Sequence, residues 1–204
     1  NYLNPTSGLY FSASNALGLK IFMGDFNYGS LSGNATYYLP VPFSDSYKTN
    51  FRFAFIPKYV YQTRTDQAVP FWKRLSLGNS YQMKGYSNPN EAISPKMQVT
   101  ISPVSGQTAP IIYGGNKSYY GVMEYFVPVV PEAGLRFVVF GEAGTVLSED
   151  QNFAFNDLYY DVGFGFRWIT PIAPFRFEWA FPVQNGQLGQ SHFVFTIGYD
   201  SFGN

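Results

Sequence analysis

Few residues in this chain of 204 could do bond chemistry. It has one histidine, His192, and no cysteine, so thiolate nucleophiles, thiolate metal ligands and disulfides are out. A Ser-His-acid triad would have to run through His192, which opens the last extended run and reads as a strand-end residue near a loop rim. Glu149 and Asp150 with Asp157 could bind a cation, but they sit in the polar stretch "LSEDQNFAFN", which reads as a solvated loop. No catalytic residues and no metal or cofactor site are therefore expected. Two other acids differ in setting. Glu124 in "VMEYF" and Glu142 in "FGEAG" stand inside apolar extended runs. Carboxylates in such surroundings need a cation beside them. Arg136, Arg167 and Arg176 are available on neighbouring runs.

What positions these charges is an alternation of period two. In "APFRFEWAFPV", residues 173–183, the aromatic side chains of Phe175, Phe177, Trp179 and Phe181 fall on one side. Arg176, Glu178 and Ala180 fall on the other. The run "YYDVGFGFRW" repeats the pattern, with Tyr160, Val162, Phe164, Phe166 and Trp168 opposite Asp161, Gly163, Gly165 and Arg167. So does "YKTNFRFAFIPKYVY": Phe51, Phe53, Phe55, Pro57, Tyr59 and Tyr61 oppose Arg52, Ala54, Ile56 and Lys58. Strict alternation is the signature of strands that face two different media.

Composition identifies the media. Charged residues make up 13% of the chain and aromatics 20%, against about 25% charged in ordinary soluble domains. No run of about 18 apolar residues exists, which excludes a membrane-spanning helix. Net charge is zero with no basic cluster, so nucleic acid is not an expected partner. A soluble β-sandwich would also alternate, but it would need polar outer faces, and here the large aromatics fill one whole column. Aromatics toward lipid and charges toward an enclosed lumen fit better.

Eight strands are predicted, at 8–18, 25–39, 47–61, 117–127, 135–146, 157–169, 174–183 and 192–202. Short Pro-rich turns join the second to the third, the fourth to the fifth and the sixth to the seventh. Longer polar loops join the third to the fourth, the fifth to the sixth and the seventh to the eighth, the longest spanning about 62–116. Short turns at one end and long loops at the other match an antiparallel, up-and-down transmembrane barrel with periplasmic turns and extracellular loops. An open edge cannot face hydrocarbon, so the sheet is expected to close, either on itself as an eight-stranded barrel or by pairing of two half-barrels. The closed monomer is the favoured form.

The segment "RWITPIAPFRFEWAFPV" (167–183) resembles the C-terminal region of the outer-membrane β-barrel assembly factor (BamA) family: a strand ending in Trp168, a Thr170-Pro171…Pro174 turn, then Arg176, Phe177, Ala180 and Pro182. Ala173 replaces the usual Gly. "NPTSG" (4–8), "PFWKRLSLGNSYQMKGY" (70–86), "RFVVFGEAGTV" (136–146) and "HFVFTIGYDSF" (192–202) resemble further family motifs in the same order. The resemblance covers essentially the whole chain. It implies the second half of a sixteen-stranded barrel in the bacterial outer membrane of Gram-negative cells, without the periplasmic POTRA domains and the first eight strands. It implies a non-enzymatic protein that inserts and folds other barrel proteins at a lateral seam. Its expected partners are outer-membrane lipid, unfolded outer-membrane protein substrates and assembly-complex lipoproteins. This chain alone is expected to be inactive. A secretion transporter of the same superfamily and a stand-alone structural barrel are the alternatives.

The resemblance also assigns residues. The sixth-loop motif corresponds to Met83, Lys84, Gly85 and Tyr86, where Lys84 stands in place of the family's Arg. In the family that Arg locks the loop to acids on inner strand faces, which here correspond to Glu124 and Glu142. Parity independently puts both acids on the inner side. Lys supplies the charge but not the bidentate fork of Arg. The closing strand carries Phe193, Phe195, Ile197 and Tyr199 outward as terminal signal and one side of the seam. Phe202 falls on the opposite parity, which predicts a bulge or frayed end.

Overall fold

The computed structural model describes residues 5–19, 27–42, 48–64, 68–102 and 106–198. Long antiparallel strands run in chain order: β1 (Gly8–Gly18), β2 (Tyr28–Pro42) and β3 (Lys48–Gln62), then β6 (Lys117–Val130), β7 (Leu135–Leu147), β8 (Tyr159–Ile169), β9 (Pro174–Gln184) and β11 (His192–Ile197). Each pairs with the next in one meander. The two-residue strand β10 (Gln187–Leu188) pairs with β9 just ahead of β11. Among the described residues no helix is long and apolar enough to cross a membrane.

Two strands run past the ends that the alternation predicts: β6 continues through Pro128 to Val130, and β2 ends three residues later than expected. β2 runs on through Pro40 and Pro42, which pair with Asn50 and Lys48. Its pairing with β1 ends at Tyr38. Among the described residues, past that point β2 has β3 on one side and no β1 partner on the other, so a missing N–H can be accommodated. Pro57, inside β3, marks the interruption of the β2–β3 ladder between Ser32–Lys58 and Ala35–Phe55. The 62–116 loop is also not structureless. It holds a separate hairpin of β4 (Lys96–Ser102) with β5 (Gln107–Ile112), which among the described residues pair with each other and not with the main sheet.

The favoured self-closed eight-stranded barrel is not what forms. Among the described residues no ladder joins β1 to β11, and the sheet is open. The physical reason is the inner face. An eight-stranded barrel has an interior just wide enough for its own side chains. Here the long loop lies against that face. Leu77, Met83, Tyr86 and Ile93 of the loop pack with Ala54, Ile56, Tyr120, Val122 and Val146 of the strands in a buried apolar cluster. Bridges from Leu75 to Gly115 and from Leu77 to Ile93 hold the loop chain in place. The inner face under the loop thus carries an apolar cluster beside ionic contacts, rather than being polar throughout.

Strand parity follows the sequence. Arg52, Asp161, Arg167 and Glu178 are buried on the inner face. Phe53, Phe55, Phe164, Phe166 and Trp168 are exposed on the outer one. Outer aromatics pave the surface across neighbouring strands: Phe164 on Trp179 at 5.8 Å, Phe164 on Phe181 at 6.3 Å, Phe177 on Phe195 at 5.0 Å and Trp179 on Phe193 at 5.0 Å between ring centres. Neighbouring rings cover one another, which leaves Phe175, Phe177, Trp179 and Phe181 only part-exposed.

Candidate functional site

The segment "LGNSYQMKGY" folds into a tight inward turn. Gly78 has φ of 98°, and a Cβ there would lie 2.4 Å from the carbonyl oxygen of Tyr86. Only glycine fits. The Asn79 side chain accepts hydrogen bonds from the backbone N–H of Tyr81 at 2.8 Å and of Gln82 at 3.0 Å. Met83 is fully buried and left-handed, with φ of 51°. Such a conformation costs a side-chain-bearing residue on the order of 1 kcal/mol or more and persists where the surroundings over-determine it. A single 3-10 turn, Lys84–Tyr86, follows.

The turn meets two acids. Lys84 is 2% exposed. Its ammonium lies 2.6 Å from Glu142 Oε1, and its backbone N–H donates to Glu142 Oε2 at 2.8 Å. The Tyr120 hydroxyl donates to Glu142 Oε1 as well. The ammonium also sits 4.0 Å from the centre of the Phe140 ring. The next backbone N–H, from Gly85, donates to Asp161 Oδ2 at 2.7 Å. A Cβ on Gly85 would lie 2.7 Å from Asp161 Cβ and 2.7 Å from the Pro182 nitrogen, so the turn touches the sheet backbone itself. Tyr86 then reaches toward the carbonyls of Tyr160 at 3.3 Å and Val183 at 3.4 Å, and its ring meets Tyr159 edge-on at 5.6 Å. Three consecutive loop residues therefore grip β7, β8 and β9, and the turn also lies against β11.

Burial alone would lower the pKa of Lys84, but the carboxylates of Glu142, Glu178 and Glu124 outweigh it and hold the ammonium above the ordinary lysine range. Burial, with the nearby Asp161 carboxylate, pushes the Tyr86 phenol up to about 12.

Glu124 is not part of this grip. It pairs with Arg52 at 2.6 Å and with Arg167 at 2.5 Å. Arg167 bridges onward to Glu178, 2.6 Å from its Oε1. The two acids assigned together from the sequence thus have different partners: Glu142 takes Lys84, and Glu124 takes two arginines. The reason is register. Arg52 stands directly across the β3–β6 ladder from Glu124, on the same inner face. Asp161 likewise stands directly across from Glu142 on the β7–β8 ladder. Alternation already placed Arg52, Asp161 and Glu178 on the inner side, but pairing needed the strand register, which alternation does not supply. Tyr120, buried under the loop, gave no sequence signal.

His192 opens β11, with Nε2 3.3 Å from Glu91 Oε2, so loop and final strand also touch there. Phe193, Phe195 and Ile197 of β11 are about half exposed on the outer face, at 56%, 48% and 55%. Tyr199 and Phe202 lie outside the described residues. Glu149, Asp150 and Asp157 are exposed in the 148–158 loop. Among the described residues no group of acids and histidine is arranged to hold a metal ion.

Comparison with known proteins gives three findings. The Omp85 superfamily domain matches residues 1–200. The outer membrane protein assembly factor BamA of Nitratidesulfovibrio vulgaris (strain Hildenborough) is 27% identical over 207 residues, which cover 95% of this chain and 23% of that protein. The crystal structure of BamA from Haemophilus ducreyi lacking POTRA domains 1–3 superposes with a TM-score of 0.66 at 21% identity, over 95% of this chain and 39% of that one. At that identity the likeness speaks for the fold. The chain spans under half the length of either relative.

Proposed function

This chain belongs to the Omp85 superfamily, a family of outer-membrane β-barrels, and from that premise we propose that it is the C-terminal half of the barrel of an outer-membrane protein assembly factor. The whole protein would insert and fold other barrel proteins, with unfolded outer-membrane proteins as substrates and assembly lipoproteins as partners. The relative of that name aligns along 95% of the chain, which favours assembly over secretion or a purely structural barrel. The long loop is the extracellular sixth loop of the family pattern, and Met83, Lys84, Gly85 and Tyr86 lock it to the inner wall.

The observation that carries this reading is the two-carboxylate grip on the turn: Glu142 on the Lys84 ammonium and N–H, and Asp161 on the Gly85 N–H. No bond is made or broken in the proposed activity. An edge is offered. Among the described residues β11 pairs with β9 along 192–197, and its other edge carries no ladder. Such an edge can template an incoming strand by main-chain hydrogen bonding. The loop, packed against β8, β9 and β11, holds that edge in place. Phe193, Phe195 and Ile197 line the outer face of this seam strand.

The experiment is folding of a model barrel protein into liposomes that carry the full-length protein. Acceleration by the wild type, lost in a Lys84→Met variant whose own barrel remains folded, is the expected result. No acceleration by the wild type, with release of a soluble passenger instead, would overturn assembly in favour of secretion. The isolated 204-residue chain is expected not to accelerate folding.

A further inference from the structure

The 148–158 loop carries two large exposed rings in an otherwise polar stretch. Phe153 is 41% exposed and Phe155 is 78% exposed. A soluble loop has no use for such groups. Their position explains them. Phe153 packs edge-on against Tyr119 at 5.2 Å, and Phe155 against Phe153 at 5.1 Å. Tyr119 belongs to the outer parity of β6, the column that continues through Met123. Gln151, Asn156 and Asp157 line a cavity with Ile93, Ser94 and Pro95 of the long loop, whereas the segment 153–155 leaves that side. It bends outward, over the face that carries the lipid-facing rings.

Lys117, on the same outer column, fixes that bend. Its ammonium donates to the carbonyl of Glu149 at 2.7 Å and to that of Gln151 at 2.9 Å. The neighbouring strand completes a girdle at this height. Pro57 pairs with Tyr119 and Tyr59 with Lys117, and Tyr59 stacks on Tyr61 at 5.5 Å. Rings at this level, above an apolar band, mark the boundary between headgroups and acyl chains.

We propose that the 148–158 loop is a membrane-anchored loop, with Phe153 and Phe155 seated in the acyl-chain boundary of the leaflet on the long-loop side. The partner is lipid, and the anchor is continuous with the outer aromatic surface of the sheet. Glu149, Asp150, Asn156 and Asp157 flank the rings, are exposed, and hold the rest of the loop in water outside the headgroups. The anchor ties the β7–β8 connection to the bilayer, while the neighbouring long loop grips the inner wall of the same strands. This inference rests on the outer-membrane reading of the sheet, and its test separates the two.

Single cysteines are introduced in place of Phe155, Phe164 and Asp150 in the full-length protein, labelled with nitrobenzoxadiazole and reconstituted in phosphatidylcholine vesicles. The lipids are brominated either near the headgroup or deep in the acyl chain. The proposal expects the label at 155 to be quenched several-fold more by shallow than by deep bromines, the label at 164 to be quenched best by deep ones, and the label at 150 to be quenched by neither. Quenching at 164 without quenching at 155 would overturn the membrane anchor and leave the barrel reading standing. Absence of quenching at all three positions would overturn the barrel reading and the anchor with it.

Discussion

Replacing Lys84 with Met removes the charge from the loop grip and keeps most of the side-chain volume. The Glu142 carboxylate it leaves behind is fully buried. Breaking a buried ion pair by removing one partner costs about 3–5 kcal/mol. Glu142 would still receive the Lys84-position N–H and the Tyr120 hydroxyl, so the lower end, about 3 kcal/mol, is expected. That is roughly a hundredfold increase in the open population of the turn. Glu142→Gln should cost a similar amount, because it strands a buried ammonium. The double variant has neither charge and should cost less than the sum, with a coupling of about 2–3 kcal/mol. The assay is hydrogen exchange of the peptide spanning 82–87, whose Lys84 and Gly85 amides are bonded to Glu142 and Asp161. The sign of the pH dependence also follows. A lysine pKa held above its ordinary range gives a contribution that is complete below the unfolded-state pKa and is lost only as pH rises through the folded one. The difference between wild type and Lys84→Met, corrected for intrinsic exchange rates, should therefore stay constant through neutral and weakly alkaline pH. Single-variant effects within about 0.5 kcal/mol that simply add would refute the reasoning.

Gly85→Ala should displace the turn, because the new methyl would meet the Pro182 nitrogen and the Phe181 carbonyl carbon at 2.7 and 3.0 Å; the cost is about 1–3 kcal/mol or more, and faster protease cleavage within residues 68–95 would report it. Arg167→Met strips a shared cation from buried Glu124 and Glu178 and should cost about 3 kcal/mol or more in urea unfolding from vesicles, even though Glu124 keeps Arg52. Phe164→Lys puts a charge at the middle of the lipid face of β8 and should cost about 2–4 kcal/mol in the same measurement.

The strand meander was legible because each strand separates two media, and period two records that separation residue by residue. Phe53 against Arg52, and Phe166 against Arg167, take opposite faces in the structure as they do in the sequence. The charge partners were only half legible. Parity says which side of the sheet Glu124 occupies, but the ladder decides that Arg52 is its opposite number. The 96–112 hairpin was missed although Met97, Val99 and Ile101 alternate. Pro95, Pro103 and Pro110 punctuate the segment, and among the described residues its two strands pair with no other. Closure was misjudged because strand counting ignores what fills the inner face, and here a loop with a buried Met83 and Tyr86 occupies it.

The central claim is that the sheet has a lipid side and a lumen side, strand by strand. Spin labels placed one at a time along 174–183 in the reconstituted full-length protein test it most directly, by relaxation with lipid-soluble oxygen and with a water-soluble nickel chelate. The account predicts a period-two oxygen signal with maxima at 175, 177, 179 and 181 and minima at 176, 178 and 180. Maxima at the even positions, or oxygen access without alternation, would contradict it.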